Sequence, residues 1–303
     1  MVVSVTEYTD TACSWAWGSE PKMRRLQWAY GEHLAWRLVM GGLLPDDWPA
    51  SGKIPAGLDI DHPDAIAFVL RYHAGVCATT GMPYPGTIHW QPENSNDTGR
   101  GYIAALAQGE DVAARLLRRC REAQFLFGRP AGNETQLLAL AAEVPGLNVA
   151  RLSADLRGPE VAAAWAADWE ETRRPNEAAL TVSDGRVGMG RARNEHGRTR
   201  YGFPTLIFRG PGGEVTVPGW RPWEAYEQAL ATAAGGALPA ARPLPSPAEA
   251  LAHHGLLARP ELDLLCGPDP ALPAGAVYLD LGGGPFWLSP DEARGRQIGA
   301  AAP

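Results

Sequence analysis

Residues Val2–Tyr8 read VVSVTEY, β-branched and partly alternating, which predicts a strand. Thr9, Asp10 and Thr11 follow as turn and capping material. A helical pattern then runs from Ser14 to Gly31, with Pro21 tolerated near its start or kinking it. LAWRLVM at Leu34–Met40 predicts a second strand, ended by Gly41 and Gly42. The stretch from Leu43 to Asp64 is rich in Pro, Gly and Asp and reads as loop. Helical periodicity governs from there to Arg174, best at Ala65–Thr80, Gly99–Phe127, Glu134–Val144 and Val161–Thr172. Between Gly81 and Thr98 lies an irregular loop longer than a bare connection needs, and such loops line sites. Strand patterns return at Thr205–Phe208 and Glu214–Val217, a hairpin across the Gly210–Gly213 turn, and a helix follows at Pro222–Thr232.

The Ala, Gly and Pro of 233–247 are the clearest composition shift in the chain and mark a linker. Beyond it, 248–303 carries helical patterns at Pro247–His254 and Arg259–Leu265 and a hairpin pattern at Ala276–Leu288. That segment is small for an independent domain and is expected to pack on the main one, residues 1–232. The order of elements predicts a mixed α/β (α+β) protein: a βαβ unit and a ββα unit separated by a helical insertion at about 62–180.

Composition narrows the partners. The 303 residues carry a net charge of −7, against the clustered positive charge that nucleic acid or an anionic membrane surface requires. The interrupted basic run Arg186–Arg200 is diluted by Glu195 and glycines and reads as a solvated loop. No apolar run approaches the ~18 residues of a membrane helix. Met1–Asp10 lacks a basic region and carries Glu7 and Asp10, so no signal peptide is expected and the cytoplasm is the default compartment. The histidines show no metal-ligand spacing, and Gly282-Gly283-Gly284 lacks the following helix of a phosphate cradle and reads as a turn. No metal or tightly bound cofactor is expected.

The four cysteines, Cys13, Cys77, Cys120 and Cys266, are scattered, which excludes a disulfide framework and a zinc site. Cys13 follows the first strand at the start of the first helix. Unpaired amides and the positive end of the helix dipole lie there, and a thiol so placed is expected to have a lowered pKa and to act as a nucleophile. The competing reading is a small buried apolar residue at a strand end. Gly202-Phe203-Pro204-Thr205, leading into the apolar run LIF, is a second feature: a proline entering a strand through a tight turn is a candidate cis bond.

Together these segments carry a resemblance. Tyr8–Trp17 (YTDTACSWAW), with Glu20-Pro21-Lys22 and Leu26–Gly31, resembles the active-site segment of DsbA-like thioredoxin-fold proteins, in the cytoplasmic branch that includes FrnE-type oxidoreductases and SpxH/YjbH-type adaptors. Gly202–Leu206 is similar to that family's cis-proline loop, Val217–Trp223 to its strand-to-helix exit, and Ala114–Phe127 to a helix of its inserted domain. The resemblance covers Val2–Leu230 and implies a thioredoxin-like fold, with Cys13 as nucleophile. Ser14, Trp15, Ala16, Phe203, Pro204 and Thr205 would form the groove beside it.

One departure bears on mechanism. Redox members carry Cys-x-x-Cys, and here the fourth position is Ala16, so Cys13 cannot run a self-contained dithiol cycle. Either an external low-molecular-weight thiol, glutathione- or mycothiol-like, resolves the adduct, or one of Cys77, Cys120 and Cys266 does so after a movement, or the groove only binds. The functions this leaves are a monothiol oxidoreductase acting on a small thiol or disulfide, a non-catalytic adaptor for a client protein, and a glutathione-type isomerase or transferase acting on an aromatic small molecule. Trp15 is assigned to the groove and Trp17, Trp28 and Trp36 to the interior, with His89 and Trp90 as further site candidates.

Overall fold

The computed structural model describes residues 2–44, 62–88, 94–195 and 197–298. Most of the Leu43–Asp64 loop, and the candidates His89 and Trp90, lie outside them. The central sheet has four strands, Leu34–Met40 (β2), Val3–Thr9 (β1), Thr205–Gly210 (β5) and Gly213–Pro218 (β6), side by side in that order. β1 (Val3–Thr9) runs parallel to β2 (Leu34–Met40), with Val3 opposite Leu34 and Thr9 opposite Met40. β5 (Thr205–Gly210) is antiparallel to β1 and to β6 (Gly213–Pro218), so the late hairpin completes the sheet. Val3, Val5, Leu206 and Phe208 pack with Leu26, Tyr226 and Leu230 on one face.

The crossover from β1 to β2 is two helices, where the sequence pattern suggested one. α1 (Ser14–Trp17) is a single turn, and α2 (Glu20–Tyr30) starts afresh with Pro21 in its first turn. Pro21 has no N–H to continue the ladder, so it initiates a helix instead of extending one. At the joint, Gly18 lies so close to Thr80 that a Cβ would sit 2.5 Å from its methyl.

The insertion is α3 (Pro63–Thr80), α4 (Asn96–Leu106), α5 (Glu110–Phe125), α6 (Glu134–Ala141), α7 (Val149–Asp155), α8 (Pro159–Thr172) and α9 (Glu177–Leu180). The long pattern at Gly99–Phe127 is thus cut in two at Gly109, whose φ of 130° no other residue type adopts readily. Leu116, Leu137, Leu140 and Leu152 form a separate helical core. The basic run is likewise not plain loop: β3 (Arg193–Glu195) and β4 (Arg198–Arg200) form a two-stranded ribbon, and Arg200 is buried.

α10 (Trp223–Ala233) packs on the sheet, and the chain then crosses to α11 (Pro247–His254), β7 (Leu256–Ala258), α12 (Arg259–Cys266), β8 (Val277–Asp280), β9 (Pro285–Leu288) and α13 (Pro290–Gly295). The tail hairpin gains a third strand that the pattern did not reveal, giving the order β7-β9-β8. Leu256, Phe286 and Leu288 share a core with Trp17, Met82 and Phe125. A buried ionic cluster lies beside that core. Arg118 on α5 holds Glu261 of α12 through two bonds of 3.0 Å, Arg24 reaches the same carboxylate at 3.1 Å, and Arg121 pairs with Glu20. Glu122 pairs with Arg118 at 2.8 Å and with Arg296 from the tail. Burial alone would raise the Glu122 carboxyl, but Arg296, Arg118 and Arg119 pull it down to about 2.

Candidate functional site

The site is built on the turn between β1 and α1. The Asp10 carboxylate accepts from the amides of Ala12 (2.9 Å) and Leu43 (2.7 Å) and from the Ser95 hydroxyl (3.1 Å), which fixes the turn against the neighbouring loop. Arg121 adds bonds to the Thr9 hydroxyl at 2.7 Å and the Asp10 carbonyl at 3.3 Å. Cys13 is thereby the N-cap of α1, its sulfur accepting from the Ala16 amide at 3.4 Å. Opposite it stands the Phe203–Pro204 turn, whose peptide is cis. The Cys13 thiol donates to the Phe203 carbonyl at 3.6 Å, the Thr205 hydroxyl closes that turn on Gly202 at 2.6 Å, and the Gly219 amide ties Pro204 to the end of β6 at 2.7 Å.

The structure corrects the expected electrostatics of Cys13. Burial pushes its thiol up to about 11, and the Asp10 carboxyl adds to the rise, against the Ala16 amide and the Arg121 charge. The expectation of a lowered pKa assumed a full helix with a solvent-facing first turn. α1 has four residues, so few aligned peptides stand behind the sulfur, and Cys13 is only 5% exposed. In this conformation the thiol is neutral at pH 7.

A cavity of about 350 Å³ opens against Cys13. Ser14, Trp15 and Phe203 line it with Cys13, whereas Ala16, Pro204 and Thr205 do not, and act on the site through the Cys13 cap and the shape of the turn. Trp15 is buried at the wall, its indole N–H donating to the Tyr72 hydroxyl at 2.9 Å, and Gly188 lies flat against its ring. Trp17 is in the interior, bonded to the Pro83 carbonyl, while Trp28 and Trp36 are half-buried at the edge of their clusters.

Other parts of the wall were not singled out in the sequence. α3 brings Phe68, Val69, Tyr72 and His73, a stripe at helical spacing that is readable in FVLRYH as an apolar face. The Gly81–Thr98 loop contributes Tyr84 and Ile88, in keeping with its expected role. His73 packs edge-on against Tyr84 (4.1 Å) and Phe125 (5.6 Å); burial pushes its pKa down to about 3, and its Nδ1 has no hydrogen-bond partner. The β3–β4 ribbon contributes Arg193 and Arg200, the latter stacked 4.5 Å from the centre of the Phe203 ring and bonded to the Tyr201 carbonyl.

The other cysteines stand apart. Cys120 is in the helical core, Cys77 points at the Gly283 carbonyl of the tail, and Cys266 joins the tail's own cluster; none lines the cavity. Among the described residues no group of three His, Cys, Asp or Glu is placed to hold a metal ion, and no helix is long and apolar enough to cross a membrane.

Comparison with known proteins fits this architecture. The chain is 29% identical over 172 residues to the ClpXP adapter protein SpxH of Shouchella clausii, a match covering 56% of this chain and 53% of that protein. It is 28% identical over 173 residues to the ClpXP adapter protein SpxH of Halalkalibacterium halodurans, covering 56% and 54%. The match thus spans about half the length of these curated relatives. Among solved structures, a candidate protein disulfide isomerase from Nitrosomonas europaea superposes with a TM-score of 0.54 at 19% identity, over 77% of this chain and 97% of that one. A probable DsbA oxidoreductase from Streptomyces coelicolor gives 0.52 at 20% identity, over 90% and 100%. These two likenesses are of fold. Residues 7–176, more than half of the chain, match the family described as Thioredoxin, and the protein belongs to that family.

Proposed function

We propose that the protein is a thiol-dependent oxidoreductase that works with a single thiol. The observation that carries this reading is the position of Cys13: its sulfur caps α1 against the Phe203 carbonyl and lines a cavity that holds no second cysteine. The Cys13 thiol first gives up its proton to solvent; the thiolate so formed attacks a disulfide R–S–S–R′, forming a Cys13–S–S–R adduct and expelling R′S⁻, which takes up a proton. A low-molecular-weight thiol, glutathione- or mycothiol-like, then attacks the adduct, takes R as its own mixed disulfide and returns Cys13 as the thiolate. Ala16 in place of a second cysteine, with no other cysteine lining the cavity, supports resolution of the adduct by an external thiol. A cytoplasmic setting supplies such thiols.

Incubation with glutathione disulfide followed by peptide mapping tests the reading. A glutathionyl adduct is expected on Cys13, released by added glutathione and missing in Cys13→Ser. Alkylation of Cys13 is expected to rise about tenfold per pH unit from pH 7 to pH 10 without a plateau, because its pKa of about 11 lies above that window. Labelling confined to the half-buried Cys77 and Cys266 refutes the catalytic role.

The SpxH relatives favour a second reading, a non-catalytic adaptor that presents a client protein. Under it, Cys13→Ser leaves client capture and turnover unchanged.

A further inference from the structure

The cavity beside Cys13 is lined by two kinds of group. Trp15, Tyr84, Phe125 and Phe203 supply rings, and most of the lining is apolar. Arg193, the first residue of β3, and Arg191, two residues before it, line the same cavity. Neither has a carboxylate partner among the described residues. Arg200, the third arginine of the wall, is already engaged by the Phe203 ring and the Tyr201 carbonyl. His73 lines the cavity as well, and its buried Nδ1 has no hydrogen-bond partner. A volume of about 350 Å³ lies at the small end of sites for organic molecules.

We infer that this cavity binds a small organic carboxylate with a ring-sized apolar body, the body lying among the aromatic side chains beside Cys13 and the carboxylate held by Arg191 and Arg193. Guanidinium groups recognise a planar carboxylate through paired hydrogen bonds, which a neutral amide cannot reproduce. The apolar body supplies burial, and the charge fixes which end approaches the sulfur. This deepens the proposed function by naming its substrate class: in the disulfide R–S–S–R′ that Cys13 attacks, R is a compact aromatic or alicyclic acid and not a protein chain.

The probes are 2-naphthoate, its neutral amide 2-naphthamide, and inorganic phosphate as an anion with no body, titrated calorimetrically into the full chain. Naphthoate is expected to bind and to slow Cys13 alkylation, the amide to bind at least about tenfold more weakly, and phosphate not to bind. Arg191→Gln with Arg193→Gln is expected to reduce naphthoate to the level of the amide, and Arg→Lys at both positions to recover part of the difference. Equal affinity for acid and amide, a preference that survives the double glutamine variant, binding that leaves Cys13 unprotected, or no binding of naphthoate each overturns the inference. The same titration on Cys13→Ala separates it from the function it rests on. Naphthoate binding there is expected to persist, so a failure of thiol chemistry leaves the binding result standing. A failure of binding with intact Cys13 adducts refutes the substrate class alone.

Discussion

Glu7 and Cys13 are acids buried at the same end of β1, and burial acts on both in the same direction. The Glu7 carboxyl is pushed from 4.5 to about 6, chiefly by burial, with the Arg121 charge opposing. The folded state therefore holds this proton more tightly than the unfolded chain. Its contribution favours folding at low pH and is lost as pH rises from about 4.5 through about 6. A glutamine keeps an oxygen for the Trp36 indole N–H, which bonds Glu7 at 3.2 Å. Glu7→Gln is accordingly expected to gain about 2 kcal/mol over wild type at pH 7.5 and almost nothing at pH 4, measured by urea unfolding. A gain of the same size at both values would remove the charge explanation. At this scale the sequence shows which residues meet, since Cys13 and Pro204 stand in recognisable local contexts. It does not show their ionisation. Burial of Cys13 depends on Phe203 and on the insertion, far away in the chain, and the shortness of α1 is hidden because SWAWGSEP could open a continuous helix.

Among elements, the tail turn and the long loop hold one another. The Tyr84 amide donates to the Gly283 carbonyl at 3.3 Å and the Gly86 amide to the Leu281 carbonyl at 3.1 Å, so the loop that carries Tyr84 and Ile88 is bonded along its backbone to the β8–β9 turn. Gly283 has no space for a side chain: a Cβ there would fall 1.2 Å from the Tyr84 carbonyl oxygen. Gly283→Ala is expected to pry the two apart, lower stability by about 1–3 kcal/mol and speed Cys13 alkylation several-fold. Thermal unfolding and the alkylation rate check this, and an unchanged alkylation rate would mean the loop keeps its place without the tail. The triple glycine reads correctly as a turn, but nothing in its composition says what presses on it. The three-residue strands β3, β4 and β7 are too short for a period of two to be recognisable, and their pairing is set by neighbours instead.

Across the whole molecule, charge joins what composition divides. The Ala, Gly and Pro of 233–247 announce a boundary, yet Glu261 on the far side has no exposed surface and is shared by Arg118 and Arg24. The pair Arg118–Glu261 is separated by 143 residues, so no local pattern points to it. Glu261→Gln would leave two buried guanidinium groups short of a counter-charge, at an expected cost of about 3–5 kcal/mol in chemical denaturation. Glu261→Leu combined with Arg118→Met is expected to lose less than Glu261→Gln alone. A double variant that loses more would show that the ion pair stabilises the fold outright.

That arrangement fixes an order of events during synthesis. Arg24 and Arg118 leave the ribosome long before Glu261, and Glu122 long before Arg296. Until residues 261–296 follow, Arg24, Arg118 and Glu122 each lack one of the partners that surround them in the fold, and the long loop has no turn on which to rest. The loop that brings Tyr84 and Ile88 to the cavity beside Cys13 therefore gains its support only after residues 281–283 have followed it out of the ribosome.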